Sequence, residues 1–176
     1  MEQTKGETTP YDELLAAMRA YGDAAMENLV RCRALGRALS DGFSAYLGAP
    51  GPCTSLVPPT GPFDPSRDYG DEAFSFSQRE VVRLEPIVFG LCVIVPHEED
   101  SGTLWLRTGI KAEVRGGRFD VYIAHQPRLR VPLEFGDHLT PVYDTVKTEL
   151  LSLFNQDLMH FNDERYNGGI GFVPQT

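Results

Sequence analysis

The chain has 176 residues, 41% of them hydrophobic and 23% charged, with a net charge of −9. The length suits one domain. The apolar fraction excludes a disordered chain, and no run approaches the ~20 apolar residues of a bilayer span. The acidic balance argues against a general nucleic-acid binder, which draws on clustered Lys and Arg.

Residues 1–7 lack the basic start and apolar stretch of a signal peptide. Three cysteines without C-x-x-C spacing argue against a disulfide framework or zinc knuckle. The expectation is a cytoplasmic protein with reduced thiols.

Residues 10–47 read as one helix. Thr9 is the candidate N-cap, Pro10 the first helical residue and Asp12 the third, a variant capping box. Gly48 and Pro50 stop it. Tyr11, Leu15, Met18, Gly22, Ala25, Leu29, Cys32, Gly36, Leu39, Phe43 and Tyr46 fall at alternating steps of four and three, a heptad seam. Gly22 and Gly36 narrow it, as a closely approaching partner helix would require. Three readings follow: the seam packs on the chain's own sheet and second helix, it is shared with a second copy through Leu15, Gly22, Leu29, Gly36 and Leu39, or a kink at Gly22 or Gly36 splits the helix in two.

Residues 48–78 form a Pro/Gly-rich arm with no helical or strand period. Phe63, Tyr69, Phe74 and Phe76 are the side chains able to pin it to a surface. Residues 79–135 read as an antiparallel meander. Ile87 to Val95 is apolar on both faces, a central strand. Leu104, Leu106, Ile110, Ala112 and Val114 alternate with Trp105, Arg107, Lys111 and Glu113. Gly116-Gly117 is a two-residue hairpin turn. Phe119, Val121 and Ile123 continue the inner face. Leu129, Val131 and Leu133 make the last strand, where Pro132 marks a sheet edge. Thr140 and Pro141 open a second helix over 140–162, whose stripe is Val142, Val146, Leu150, Leu153, Phe154, Leu158 and Phe161. Residues 163–176 read as an extended tail.

Residues 103–131 hold six basic and two acidic groups, a net +4 inside an acidic chain. Trp105, Arg107, Lys111, Tyr122, Arg128 and Arg130 share the outer face of the meander. Guanidinium groups interleaved with aromatic rings hold phosphates and bases or dock an acidic protein segment. The competing readings are a solvated face with Arg–Asp120 and Arg–Glu113 pairs, or coverage by the chain's own acidic arm.

Motifs for catalysis are missing. Gly42-Phe43-Ser44-Ala45 lies within a helix and lacks the second glycine of a nucleophile elbow. Gly168-Gly169-Ile170-Gly171 follows a helix instead of opening one, and no phosphate-binding loop occurs. Cys32 and Cys92 lie on apolar faces, and Cys53 is the thiol expected to be exposed. Asp157, His160 and Glu164 share a helix face with Asp163 nearby, and His97 adjoins Glu98, Glu99 and Asp100. Both clusters are more simply solvated polar ends than metal sites. His125 and His138 sit at a strand end and a turn. No metal or cofactor is expected.

The fold class implied is α+β: a five-stranded antiparallel meander with the long N-terminal helix and the C-terminal helix packed on its Leu/Val/Ile face, in one domain over 1–176. No motif-level family match is claimed. At fold level only, this order of elements is similar to type III secretion chaperones and related adaptors. The functional expectation is a non-enzymatic cytosolic adaptor that binds another protein chain and forms a homodimer through the long helix, with neither membrane nor nucleic acid as partner. The alternatives are an anionic-ligand or nucleotide-binding domain using the basic aromatic face, and a small enzyme assembling His97, Glu98, His125 or His138 at the strand ends.

Overall fold

A computed structural model describes residues 8–76, 83–97, 102–159 and 170–174. The long helix, α1, runs Pro10–Tyr46. Its start is the capping box expected from sequence: the Asp12 N–H donates to Thr9 Oγ1 at 3.2 Å, and the Thr9 N–H donates to the Asp12 carboxylate at 3.0 Å. The Thr9 side-chain and backbone hydrogen bonds hold the Asp12 pKa below its ordinary range. At the other end Gly48 takes φ +68°, and the Leu47 N–H closes on Phe43 O at 2.9 Å. At 1.5 Å per residue α1 is about 55 Å long.

Strands β1 (Thr54–Val57), β2 (Ile87–His97), β3 (Gly102–Arg115), β4 (Arg118–Ile123) and β5 (Leu129–Pro132) pair antiparallel in that order. A sixth strand, β6 (Ile170–Pro174), pairs with Gly102–Leu106 of β3 on the side where β4 takes Ile110–Arg115. The second helix, α2, is Thr140–Met159. Among the described residues no helix is long and apolar enough to cross a membrane.

The inner face of the sheet carries Ile87, Phe89, Leu91 and Val93 of β2, Leu106, Ile110 and Ala112 of β3, and Phe119, Val121 and Ile123 of β4, all buried. Leu29, Cys32, Leu35, Leu39 and Phe43 of α1 and Val142, Val146 and Leu150 of α2 cover it in one cluster. The helices meet through stacked and tilted rings of Phe43, Tyr46 and Tyr143, with centroids 5.2–5.8 Å apart. The hairpin at Gly116-Gly117 has φ +57° and +70°, both positive as a type I′ turn demands. Pro132 sits on the edge strand β5.

The structure differs from the sequence reading in four places. The Pro/Gly-rich arm contains a strand, β1; at four residues it is too short to show a period. The tail contributes β6 to the sheet. Thr140 has helical dihedrals, φ −52° and ψ −45°, because the 3₁₀ turn Gly136–Leu139 runs directly into α2, so it is no conventional cap. Helix residues beyond Met159 fall outside the described residues. Finally, Gly36 serves the chain's own arm. A Cβ there would lie 2.7 Å from the Phe74 ring and 3.3 Å from that of Phe89, both buried, whereas one at Gly22 would meet nothing within 4 Å.

These two glycines make a paired prediction. Gly36→Ala must displace two buried rings, an overpacking cost of about 1–3 kcal/mol that exceeds or cancels the ~1 kcal/mol gain in helix propensity. Gly22→Ala has only the gain. Urea unfolding should therefore show Gly22→Ala more stable than the parent and Gly36→Ala no more stable; equal stabilisation by both would refute this packing.

Candidate functional site

The first surface to consider is α1 itself. Its heptad stripe divides in two. From Ala25 to Phe43 it is buried against the sheet, so Leu29, Gly36 and Leu39, named from sequence as a seam between copies, pack inside this chain. From Pro10 to Ala24 no residue of α1 is buried among the described residues. Tyr11, Leu14, Met18 and Tyr21 are 67%, 66%, 70% and 51% exposed. With Leu15 and Gly22 they occupy one third of the helix circumference at 100° per residue. The flank beside Leu15 carries Asp12 and Arg19, both exposed.

Where the projecting and buried halves meet, Asn28 fixes the helix to the sheet. It is 2% exposed; its amide donates to Glu85 O at 3.0 Å, and its carbonyl accepts the Val114 N–H at 2.8 Å. Tyr21 Oη accepts the Leu84 N–H at 3.0 Å. No motif marks Asn28 in the sequence; its one signal is its place three residues after Ala25 and four before Cys32, on the core-facing side.

The outer face of the sheet is the second surface, and the arm divides it. Val57 and Phe74 pair with adjacent β2 residues, Gly90 and Phe89. The 16 residues between them thus leave and rejoin the sheet at neighbouring points, as in an Ω-loop. The loop crosses the outer face where Gly90 gives it room: a Cβ there would be 2.8 Å from the Pro58 and Val57 carbonyls. The Arg107 guanidinium donates to Pro58 O at 3.2 Å and Gly61 O at 2.9 Å, and lies 4.5 Å over the Phe63 ring. Phe63 meets Trp105 edge to face at 4.8 Å. On return, Asp71 pairs with Arg33 and Arg37 of α1. Trp105 and Arg107 are therefore engaged by the chain's own arm.

Of the other four residues, Arg128 and Arg130 gather about Asp120. This carboxylate is 1% exposed and lies 3.4 Å from Arg128 and 3.2 Å from Arg130. Lys111 sits 4.5 Å over the Tyr122 ring, and Arg115 pairs with Glu113 at 3.3 Å. Most of the positive charge noted in residues 103–131 is thus matched by acids or carbonyls of the same chain.

A third feature was not legible in the sequence. A cleft of about 1010 Å³ opens between the C-terminal half of α1 (Arg37, Ser40, Asp41), the turn Leu47–Cys53, the free edge of β1, the end of β2 (Val93–Pro96) and loop residues 65–70. No local motif marks it, because four separated segments build it.

The catalytic candidates do not converge among the described residues. His125 and His138 are exposed on turns. The side chains of His97, Glu98, Glu99, Asp100, Asp157, His160, Asp163 and Glu164 lie outside the described ones. Among the described residues no three His, Cys, Asp or Glu side chains are placed to hold a metal. Burial pushes the Cys32 thiol up to about 12 and the Cys92 thiol up to about 11. Cys53 is half-buried on the cleft wall, its Sγ 3.6 Å from Ser44 Oγ. Comparisons with protein-family models, curated proteins and solved structures find no match.

Three outcomes are expected here. Iodoacetamide should modify Cys53 in the folded protein and reach Cys32 and Cys92 only on unfolding. Because the folded thiols have pKa values raised from 9.0 to about 12 and 11, their stabilising contribution is complete below pH ~9 and is lost as pH rises from there through about 11–12. Separately, Phe63→Ala removes an aromatic pair worth about 0.5–1.5 kcal/mol and uncovers Trp105, the single tryptophan. Trp105 emission should shift to the red with increased quencher access; unchanged emission would contradict the loop's position.

Proposed function

We propose that the chain is a non-enzymatic, cytosolic adaptor that works by protein–protein contact and pairs with a second copy of itself through the projecting part of α1. The observation that carries this reading is the apolar stripe Tyr11, Leu14, Leu15, Met18 and Tyr21, set on a helix that extends beyond the sheet it covers. A helical stripe of this kind gains stability by burial against another helix.

Charge favours an antiparallel pair. When the copies cross near residues 15 and 16, Leu14 of one meets Met18 of the other, Tyr11 meets Tyr21, and each Asp12 faces an Arg19. A parallel pair would set the acidic first turns, Asp12 and Glu13, side by side. The antiparallel arrangement also opposes the helix dipoles favourably. The three free cysteines, two of them buried, agree with a reducing compartment.

The pairing element is short, about 22 Å of helix. Its area falls below the ~800 Å² per partner of a standard interface, so a dissociation constant on the order of 100 μM is expected. Sedimentation should show a concentration-dependent dimer. Met18→Glu and Arg19→Asp, both on exposed positions, should return it to monomer without changing the melting temperature. A parent that stays monomeric at about 1 mM would overturn the reading.

A further inference from the structure

The cleft beside β1 has features that the helix pairing does not use. The first is its backbone. The Ile94 N–H donates to Cys53 O at 2.8 Å, and β1 is in register Thr54↔Val93 through Val57↔Gly90. Hydrogen-bonded pairs alternate along an antiparallel ladder. Cys53, Ser55 and Val57 therefore face β2, while the N–H and C=O groups of Thr54 and Leu56 point away from it, toward the cleft. They repeat at about 6.7 Å, the spacing of alternate residues in an extended chain. Such a row is a template for another strand.

The second feature is the wall. Leu47, Ala49, Pro50, Pro52, Pro65, Val95 and Pro96 line much of it, so backbone groups displayed here have apolar surroundings. The third is charge. The two cations of the lining are already engaged: Arg37 pairs with Asp71, and Arg67 pairs with Glu72 and lies 4.6 Å over the Tyr69 ring. Its two acids, Asp41 and Asp68, make no ion pair among the described residues. Among the described residues the Asp68 carboxylate accepts one hydrogen bond, from the Gly70 N–H at 3.0 Å. Among the described residues the groove is mostly apolar, edged by strand groups that make no ladder bond and rimmed by two carboxylates without an ion pair.

We propose that this groove takes an extended segment of a partner protein, with apolar residues alternating with Lys or Arg, added as a strand to the free edge of β1. The backbone row supplies register and affinity, the apolar wall takes one set of side chains, and Asp41 and Asp68 receive the cations of the other. The proposal extends the adaptor reading but rests on residues remote in sequence from the helix stripe, so either can fail alone.

The probe is an acetylated, amidated octapeptide alternating valine and lysine, titrated into the full chain and followed by amide chemical shifts. Shifts should concentrate at Thr54, Leu56 and residues 93–95, with a dissociation constant on the order of 1 mM or below. A valine/glutamate octapeptide should bind at least about tenfold more weakly. Two further peptides carry backbone N-methyl groups, one on every valine and one on every lysine. A strand turns only every second N–H toward its neighbour, so one of them should lose binding about tenfold or more while the other keeps it. In the protein, Leu56→Pro removes the outward N–H without touching the ladder to β2 and should weaken binding similarly, while Met18→Glu should bind as the parent does. The proposal is overturned if no amide shifts at about 5 mM peptide, if the acidic peptide binds equally, or if the two N-methylated peptides bind alike. It is also overturned if the anion 8-anilinonaphthalene-1-sulfonate shifts the same amides in preference to the basic peptide, which would make the cleft a small-molecule pocket.

Discussion

One mismatch of length governs this molecule. The sheet has an apolar inner face that must be covered, and α1 covers it with the stretch Ala25 to Phe43, about 28 Å. The helix is 37 residues long. The 15 residues before Ala25 have no sheet beneath them, yet they repeat the apolar spacing of the part that does. Among the described residues the Tyr21–Leu84 hydrogen bond is this segment's one hydrogen-bonded tie to the rest of the fold; a helix segment with so little tertiary support is marginal in water, and the capping box at Thr9 and Asp12 only partly compensates. The projecting stripe is therefore the feature with most to gain from a partner, and the proposed function follows from that imbalance.

The Ω-loop resolves a different problem. A sheet with one face under helices leaves the other to solvent, and here that face carries Trp105 beside Arg107. The loop brings Phe63 to the tryptophan and two carbonyls to the guanidinium, satisfying both within the chain. Its return leg is held by Arg33 and Arg37 on Asp71 and by Phe74 against Gly36. In passing around the edge of the sheet, residues 65–70 stand off from β1 and leave the cleft. Covering the aromatic face and exposing the strand edge are two results of one loop path.

The parts of the fold legible in the sequence are those fixed by local signals. Thr9-Pro10 with Asp12, the alternation from Leu104 to Val114, Gly116-Gly117 and Pro132 each report a local backbone requirement, and each holds. What the sequence could not show depends on distant segments meeting. β1 lacks a period because it has four residues. Gly36 looks like a helix–helix contact until Phe74, 38 residues later, is found against it. The six outer-face residues form a single basic stripe by parity, but parity does not reveal that Asp120 is nearly buried between Arg128 and Arg130, or that the arm lies over Trp105. The cleft at the edge of β1, with Asp41 on a helix and Asp68 in a loop, has no sequence signature at all.

The account depends most on how the exposed stretch of α1 meets its partner. Nitroxides at Ala16→Cys and at Asp23→Cys, in a Cys53→Ser background, test it through dipolar distances between copies; both sites lie off the apolar stripe, and the buried Cys32 and Cys92 stay unlabelled. Antiparallel crossing near residues 15 and 16 places the first pair of labels almost level and separates the second by about 20 Å along the axis. The account predicts a short distance for Ala16→Cys and a distance longer by roughly that amount for Asp23→Cys. Equal distances at the two positions would mean a parallel pair, and no intermolecular coupling at either, at about 1 mM protein, would mean that the projecting helix does not pair with itself.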